Sequence, residues 1–137
     1  MTTKEIVKQV ADTYTINNRS TEPAVGMEQC RYQTKDGRMC AVGMCMNEPS
    51  LEEFGTVIGN VHELHKMVKN QRNEQGLDYL LKEEYKGHSL KFWSELQHLH
   101  DEWRYWDEDG LNERGMKKAK QIIDENEHNF YVNPKQS

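Results

Sequence analysis

Apolar side chains along this chain fall mostly at three- and four-residue steps, the spacing that lays them on one face of an α-helix. Ile6, Val7, Val10, Ala11 and Tyr14 make the first such stripe. Thr2 and Glu5 ahead of it match a capping box, in which two side chains take up free amides of the first turn. Asn17-Asn18-Arg19-Ser20 ends that helix, and residues 21–28, with Pro23 and Gly26, read as a loop. After Met46, Asn47-Glu48-Pro49-Ser50 breaks the chain, with Ser50 placed to cap a short turn through Phe54 that Gly55 stops. Val57, Ile58, Val61, Leu64, Met67 and Val68 predict a further helix, and Leu77, Leu80 and Leu81 a short one closing at Gly87. The strongest pattern runs from Ser89 to Trp106, where Phe92, Trp93, Leu96, Leu99, Trp103 and Trp106 share a face. His100 joins that face and His98 leaves it. Asp107-Glu108-Asp109-Gly110 ends the helix, and a last one over 112–126 presents Met116, Ala119, Ile122 and Ile123.

The stretch from Cys30 to Met46 has a different rhythm. Cys30, Tyr32 and Thr34 alternate with Arg31 and Gln33, as in a half-buried strand. Asp36-Gly37 suits the two central positions of a tight turn that needs positive φ. The run Met39–Met46 is apolar almost throughout, and its periodicity fits either a strand buried on both faces or a strand turning helical near Gly43. A hairpin whose second arm runs under the helices is therefore expected. The whole pattern predicts an α+β fold: a β-hairpin, of two strands or of three if Phe130-Tyr131-Val132 adds an edge, packed against four or five helices. It reads as one mostly helical domain over 1–137 with a polar tail from 129.

Composition narrows the function classes. A 35% apolar content and a mean hydropathy of -1.00 imply a lean core, while the Trp and Tyr residues are too regularly spaced for a disordered chain. The net charge of -5 comes without a Lys/Arg cluster, so general nucleic-acid binding is not expected. No 18-residue apolar run, signal peptide or lipidation pattern is seen, so the expectation is a cytoplasmic protein with reduced thiols and no membrane contact.

Candidate chemistry centres on cysteine and histidine. Cys30, Cys40 and Cys45 lack paired C-x-x-C knuckles, and no cofactor is called for. Zinc held by Cys30, Cys40, His62 and His65 is the alternative, since His62 and His65 share a helix side. Asp107-x-Asp109-Gly110 imitates an EF-hand start, but alignment on Gly110 puts Tyr105 and Met116 at the first and twelfth positions, which rules it out. A thiol hydrolase would pair Cys40 with His100, yet Asp101, the next residue, points about 100° away around a helix and is poorly placed to orient the ring. The expectation is thus that no residue is catalytic, and that Cys40, Gly43, Trp93, His100 and Trp103 are structural core. Arg104 and Tyr105 are read as facing water, a pairing suited to a partner surface. Met39, Met44 and Met46 are read as gap-fillers, with a self-association face as the alternative. There is no phosphate-binding glycine loop.

Two blocks carry a resemblance: Tyr32-x-x-x-Asp36-Gly37-x-x-Cys40-Ala41-Val42-Gly43, and Leu96-Gln97-x-x-His100-Asp101. Together with Gly55 they resemble a group of small uncharacterised proteins of tailed phages and prophages. The resemblance marks Cys40, Gly43, His100 and Asp101, and implies an accessory protein in the cytoplasm of an infected host cell. On this reading it binds a host protein, in defence or nucleic-acid processing, and inhibits or redirects it. The other readings are a Cys/His- or zinc-dependent hydrolase, and a ligand binder that sequesters a small nucleotide near the hairpin.

Overall fold

The computed structural model describes residues 1–15, 21–24, 27–30, 39–55, 60–71 and 73–126, the strands 21–24 and 27–30 by their backbone. Local chemistry sets the helix starts. Helix α1 (Thr3–Thr13) opens on the capping box: Glu5 N–H donates to Thr2 Oγ1 at 3.1 Å and Thr2 N–H to Glu5 Oε1 at 2.9 Å. Helix α2 (Glu48–Phe54) is capped by Asn47, three residues earlier than Ser50, because Asn47 Oδ1 accepts the Ser50 N–H at 3.0 Å and Pro49 fits the first turn. Helices α3 (Val61–Gln71) and α4 (Leu77–Leu80) follow. Ser89 caps α5 (Leu90–Asp101), and Asn112 takes the Gly115 N–H at the head of α6 (Glu113–Asn126).

The described residues thus hold six α-helices, more than the four or five expected, since both short segments are helical. Strands β1 (Thr21–Ala24) and β2 (Met27–Cys30) form an antiparallel hairpin, Thr21 opposite Cys30 and Ala24 opposite Met27. The fold is α+β and mostly helical.

That hairpin lies in the segment read as a loop, because Thr21-Glu22-Pro23-Ala24 has no apolar alternation to betray it. The Asp36-Gly37 turn and the segment at 130–132 lie outside the described residues. The predicted second arm is not a strand. Residues 41–42 turn and Gly43–Cys45 form a single 3-10 turn, the helical one of the two alternatives, with Met46 then bridging Leu81. A second, two-residue hairpin joins β3 (Trp106–Asp107) to β4 (Gly110–Leu111) through the acidic turn.

Helix α5 packs against α1, α3 and α6, and its Phe92, Trp93, Leu96 and Leu99 fill the centre of one continuous core. Met46 is fully buried and Met44 packs on the core, so these two fill gaps as expected. Two expected core residues are outside it. Helix α5 stops at Asp101, with Glu102 extended, so the 3-10 turn Trp103–Tyr105 breaks the helical register. Trp106 is carried inward, where its Nε1–H donates to Leu99 O at 2.7 Å, while Trp103 turns out and is 59% exposed. In α6 the inward face is Gly115, Ala119 and Ile122, and Met116, one position on, is 63% exposed. No helix among the described residues is long and apolar enough to cross a membrane.

Candidate functional site

The two ends of α5 carry the chemistry. At its C-terminal end, Gln97, His100 and Asp101 meet the Cys40–Met46 segment. Tight turns make that segment: Met44 N–H reaches Cys40 O, Cys45 N–H reaches Val42 O, and Gly43 N–H donates to Cys40 Sγ at 3.2 Å. Val42 N–H is 3.4 Å from Gln97 Oε1, Gln97 Nε2 donates to Asp101 Oδ1 at 3.0 Å, and His100 Nδ1–H donates to the same oxygen at 2.7 Å. Thus the two sequence blocks are joined by a chain of hydrogen bonds, with Gln97, which was not singled out, as its middle link.

Asp101 does hold the His100 ring, contrary to the expectation from helical angle. Its carboxylate folds back from a side chain that is 31% exposed, at the last residue of the helix. Above the ring, Tyr14 packs edge-on at a 4.7 Å centroid distance, its hydroxyl donating to Met39 O. Cys40, Gly43, His100 and Trp93 are buried, as expected of core.

This end is closed to reactants. Cys40 and His100 are both 0% exposed. Burial pushes the Cys40 thiol up to about 12, against the Gly43 N–H that favours the thiolate. Burial also raises Cys45. A nucleophilic cysteine needs the opposite, a lowered pKa and an approach path.

The N-terminal end of α5 borders a cavity of about 330 Å³ between α3, α4 and α5. Its main polar groups are His65, Asp78, His88 and Ser89, with Leu77, Leu90 and Trp93 as apolar wall. His65 reaches from α3 to cap α4, its Nδ1 accepting the Leu77 N–H at 3.0 Å, so the neutral ring carries its proton on Nε2. Gly76 makes room: its φ is +62°, and a Cβ there would fall 2.3 Å from the imidazole. Asp78 Oδ2 accepts the Gly87 N–H at 3.3 Å, and burial raises its carboxyl. His88 Nε2–H donates to Met1 O at 2.7 Å. Burial lowers both imidazoles, His65 further through Lys69.

The zinc alternative finds only scattered donors. His62 is exposed, His65 is engaged at α4, Cys40 is enclosed beside Gln97, and the Cys30 side chain lies outside the described residues. Among the described residues no three His, Cys, Asp or Glu side chains gather as metal ligands. The cavity takes its polar wall from α3 through α5. Among the described residues neither Lys nor Arg lines it.

The third feature is the Trp103–Tyr105 turn. Asn112 holds it from below, donating through Nδ2 to Arg104 O at 2.8 Å and through N–H to Tyr105 O at 2.9 Å. Gly115 is pressed so closely against Tyr105 O that a Cβ would stand 2.3 Å away. Arg104 is exposed and pairs with Glu102, while Tyr105 is half-buried, its ring edge-on to His98. Comparison with protein-family models, with curated proteins and with solved structures finds no match.

Proposed function

We propose that the protein acts by binding, as a small phage-encoded accessory factor that engages a host protein through the turn carrying Trp103 and Arg104. The single observation that carries this reading is the exposure of Trp103, 59% against 0% and 3% for Trp93 and Trp106. An indole left in water on a turn whose backbone is pinned by Asn112 and Gly115 adds little backbone ordering cost when it enters a partner's pocket. Trp and Arg are also the side chains that dominate interface energetics. Asp107, Glu108 and Asp109, all exposed beside the turn, favour a partner whose apolar slot has a basic rim. Sealing of Cys40 and His100 weighs against the hydrolase reading, and the phage setting rests on the resemblance of the two sequence blocks.

The test starts from affinity capture out of phage-host lysate, followed by titration of the purified partner. Trp103→Ala is expected to weaken binding by about thirtyfold, the mark of a dominant contact of roughly 2 kcal/mol, without lowering thermal stability. Added salt is expected to weaken it further. Unchanged affinity in Trp103→Ala, with the protein folded, would sink the reading.

A further inference from the structure

The cavity at the head of α5 has a donor and acceptor pattern that the fold leaves unfilled. Trp93 is 0% exposed and lines the cavity, yet its Nε1–H has no acceptor among the described residues. A buried indole N–H normally finds one. The Trp106 indole, just beyond the end of α5, does find one in Leu99 O, seven residues back. His65 presents a second donor, since its Nδ1 is engaged by Leu77 and the proton therefore sits on Nε2. The same lining holds an acceptor, the Asp78 carboxylate, whose Oδ2 accepts the Gly87 N–H at a long 3.3 Å. Leu77, Leu90 and the Trp93 ring supply apolar wall.

Each property removes a class of occupant. A volume of about 330 Å³ lies at the lower end of small-molecule sites, too small for a dinucleotide. Glu74 and Asp78 line the space and no Lys or Arg among the described residues does, so a phosphate or carboxylate would meet two carboxylates at close range, with Lys69 and Lys86 acting only from outside the lining. A simple amine would suit Asp78 but leave the Trp93 donor unsatisfied. What remains is a small, flat, uncharged molecule bearing N–H donors and ring acceptors.

We propose that the cavity binds a nitrogen heterocycle of the purine or aminopyrimidine class, as base or nucleoside, with N–H groups on Asp78 and a ring acceptor on Trp93. This site does not depend on the Trp103 surface, and either can fail alone.

The test titrates adenine, hypoxanthine, cytosine and guanosine into the full chain, with the matching 5′-monophosphates and putrescine alongside. Two-dimensional NMR follows the indole N–H signals, Trp93 being assigned by its loss in Trp93→Phe. At least one base or nucleoside is expected to shift the Trp93 signal and to bind at least tenfold tighter than its monophosphate or putrescine. Trp93→Phe and Asp78→Asn are each expected to weaken it at least tenfold. Should Trp93→Phe not fold, Asp78→Asn and the wild-type Trp93 signal decide. The proposal fails if no base moves that signal, if monophosphates or putrescine bind as tightly, or if Asp78→Asn binds as wild type.

Discussion

Each end of helix α5 meets an imidazole, a carboxylate and an aromatic ring, and the two ends put them to different uses. At the C-terminal end, His100, Asp101, Gln97 and Tyr14 close on the Met39–Met46 segment in a continuous set of hydrogen bonds, with Cys40 and His100 fully buried. At the N-terminal end, His65, Asp78 and Trp93 stand around an open volume with an indole N–H unsatisfied. Residue types are nearly the same; filling differs. The contrast teaches that a Cys, a His and an Asp brought together are not thereby a reaction centre. Burial decides whether such a group is mortar or a receptor.

Removing His100 is expected to show the largest effect. His100→Ala deletes a fully enclosed ring, opens a hole under Tyr14 and strips Asp101 of its partner, at a cost of about 2–4 kcal/mol. His65→Ala, at the open end, loses one helix-capping bond and is expected to cost about 1 kcal/mol. Urea unfolding of both variants checks the comparison, and equal costs would break it. Thiol chemistry tests the closure separately. In a Cys30→Ser background, Cys40 and Cys45 are expected to react with a maleimide about 10³-fold more slowly in the folded protein than in urea. Rapid labelling of Cys40 in the folded state would reopen the nucleophile reading.

Gly76→Ala is next in size. Alanine at φ +62° is strained, and its methyl group would take the place of the His65 ring, so a loss of about 1–2 kcal/mol is expected. Combining it with His65→Ala sharpens the point. With the ring gone the added methyl group has room, and the double variant is expected to be more stable than the sum of the two single losses.

How much of this was legible follows from which forces are local. Helix positions came through because capping and apolar spacing act within a few residues: the Thr2–Glu5 box, the start of α5 at Ser89 and the Phe92–Leu99 face all stand where the pattern put them. Burial of Cys40, Gly43, Trp93 and His100 was legible for the same reason. Trp103 was misread because a stripe was extended through Glu102, where the helix unwinds, and nothing in an indole says that it has passed a helix end. The strands at 21–24 and 27–30 escaped because Pro23 and polar neighbours hide a pairing that backbone hydrogen bonds alone define. The cavity was invisible. His65, Asp78, His88 and Trp93 are spread over 29 positions of three helices and a connecting loop, and only packing brings them to one space. Its nearest signal was Gly76 inside a polar run before Leu77.

The smallest expected effect concerns acid, and it separates the two ends by titration. Burial holds His65 and His88 below the ordinary 6.5 in the folded chain, so both rings bind protons less readily there than in the unfolded chain. In the unfolded chain they take up protons as the pH falls below that value. Because the unfolded state then binds more protons than the folded one, stability declines with falling pH from about 6.5 downward, and not above it. His65 also feels Lys69 and His62 against protonation and Asp78 in favour, while His88 feels the amino terminus against it and the Met1 carbonyl in favour. The urea midpoint of the wild type is therefore expected to fall between pH 7.5 and 5.5. In His65→Gln with His88→Asn, which cannot titrate, that fall should shrink relative to the double variant's own midpoint at pH 7.5. A decline of the same steepness in the double variant would move the acid sensitivity elsewhere, and the open end of α5 would lose its claim to neutral, donor-bearing imidazoles.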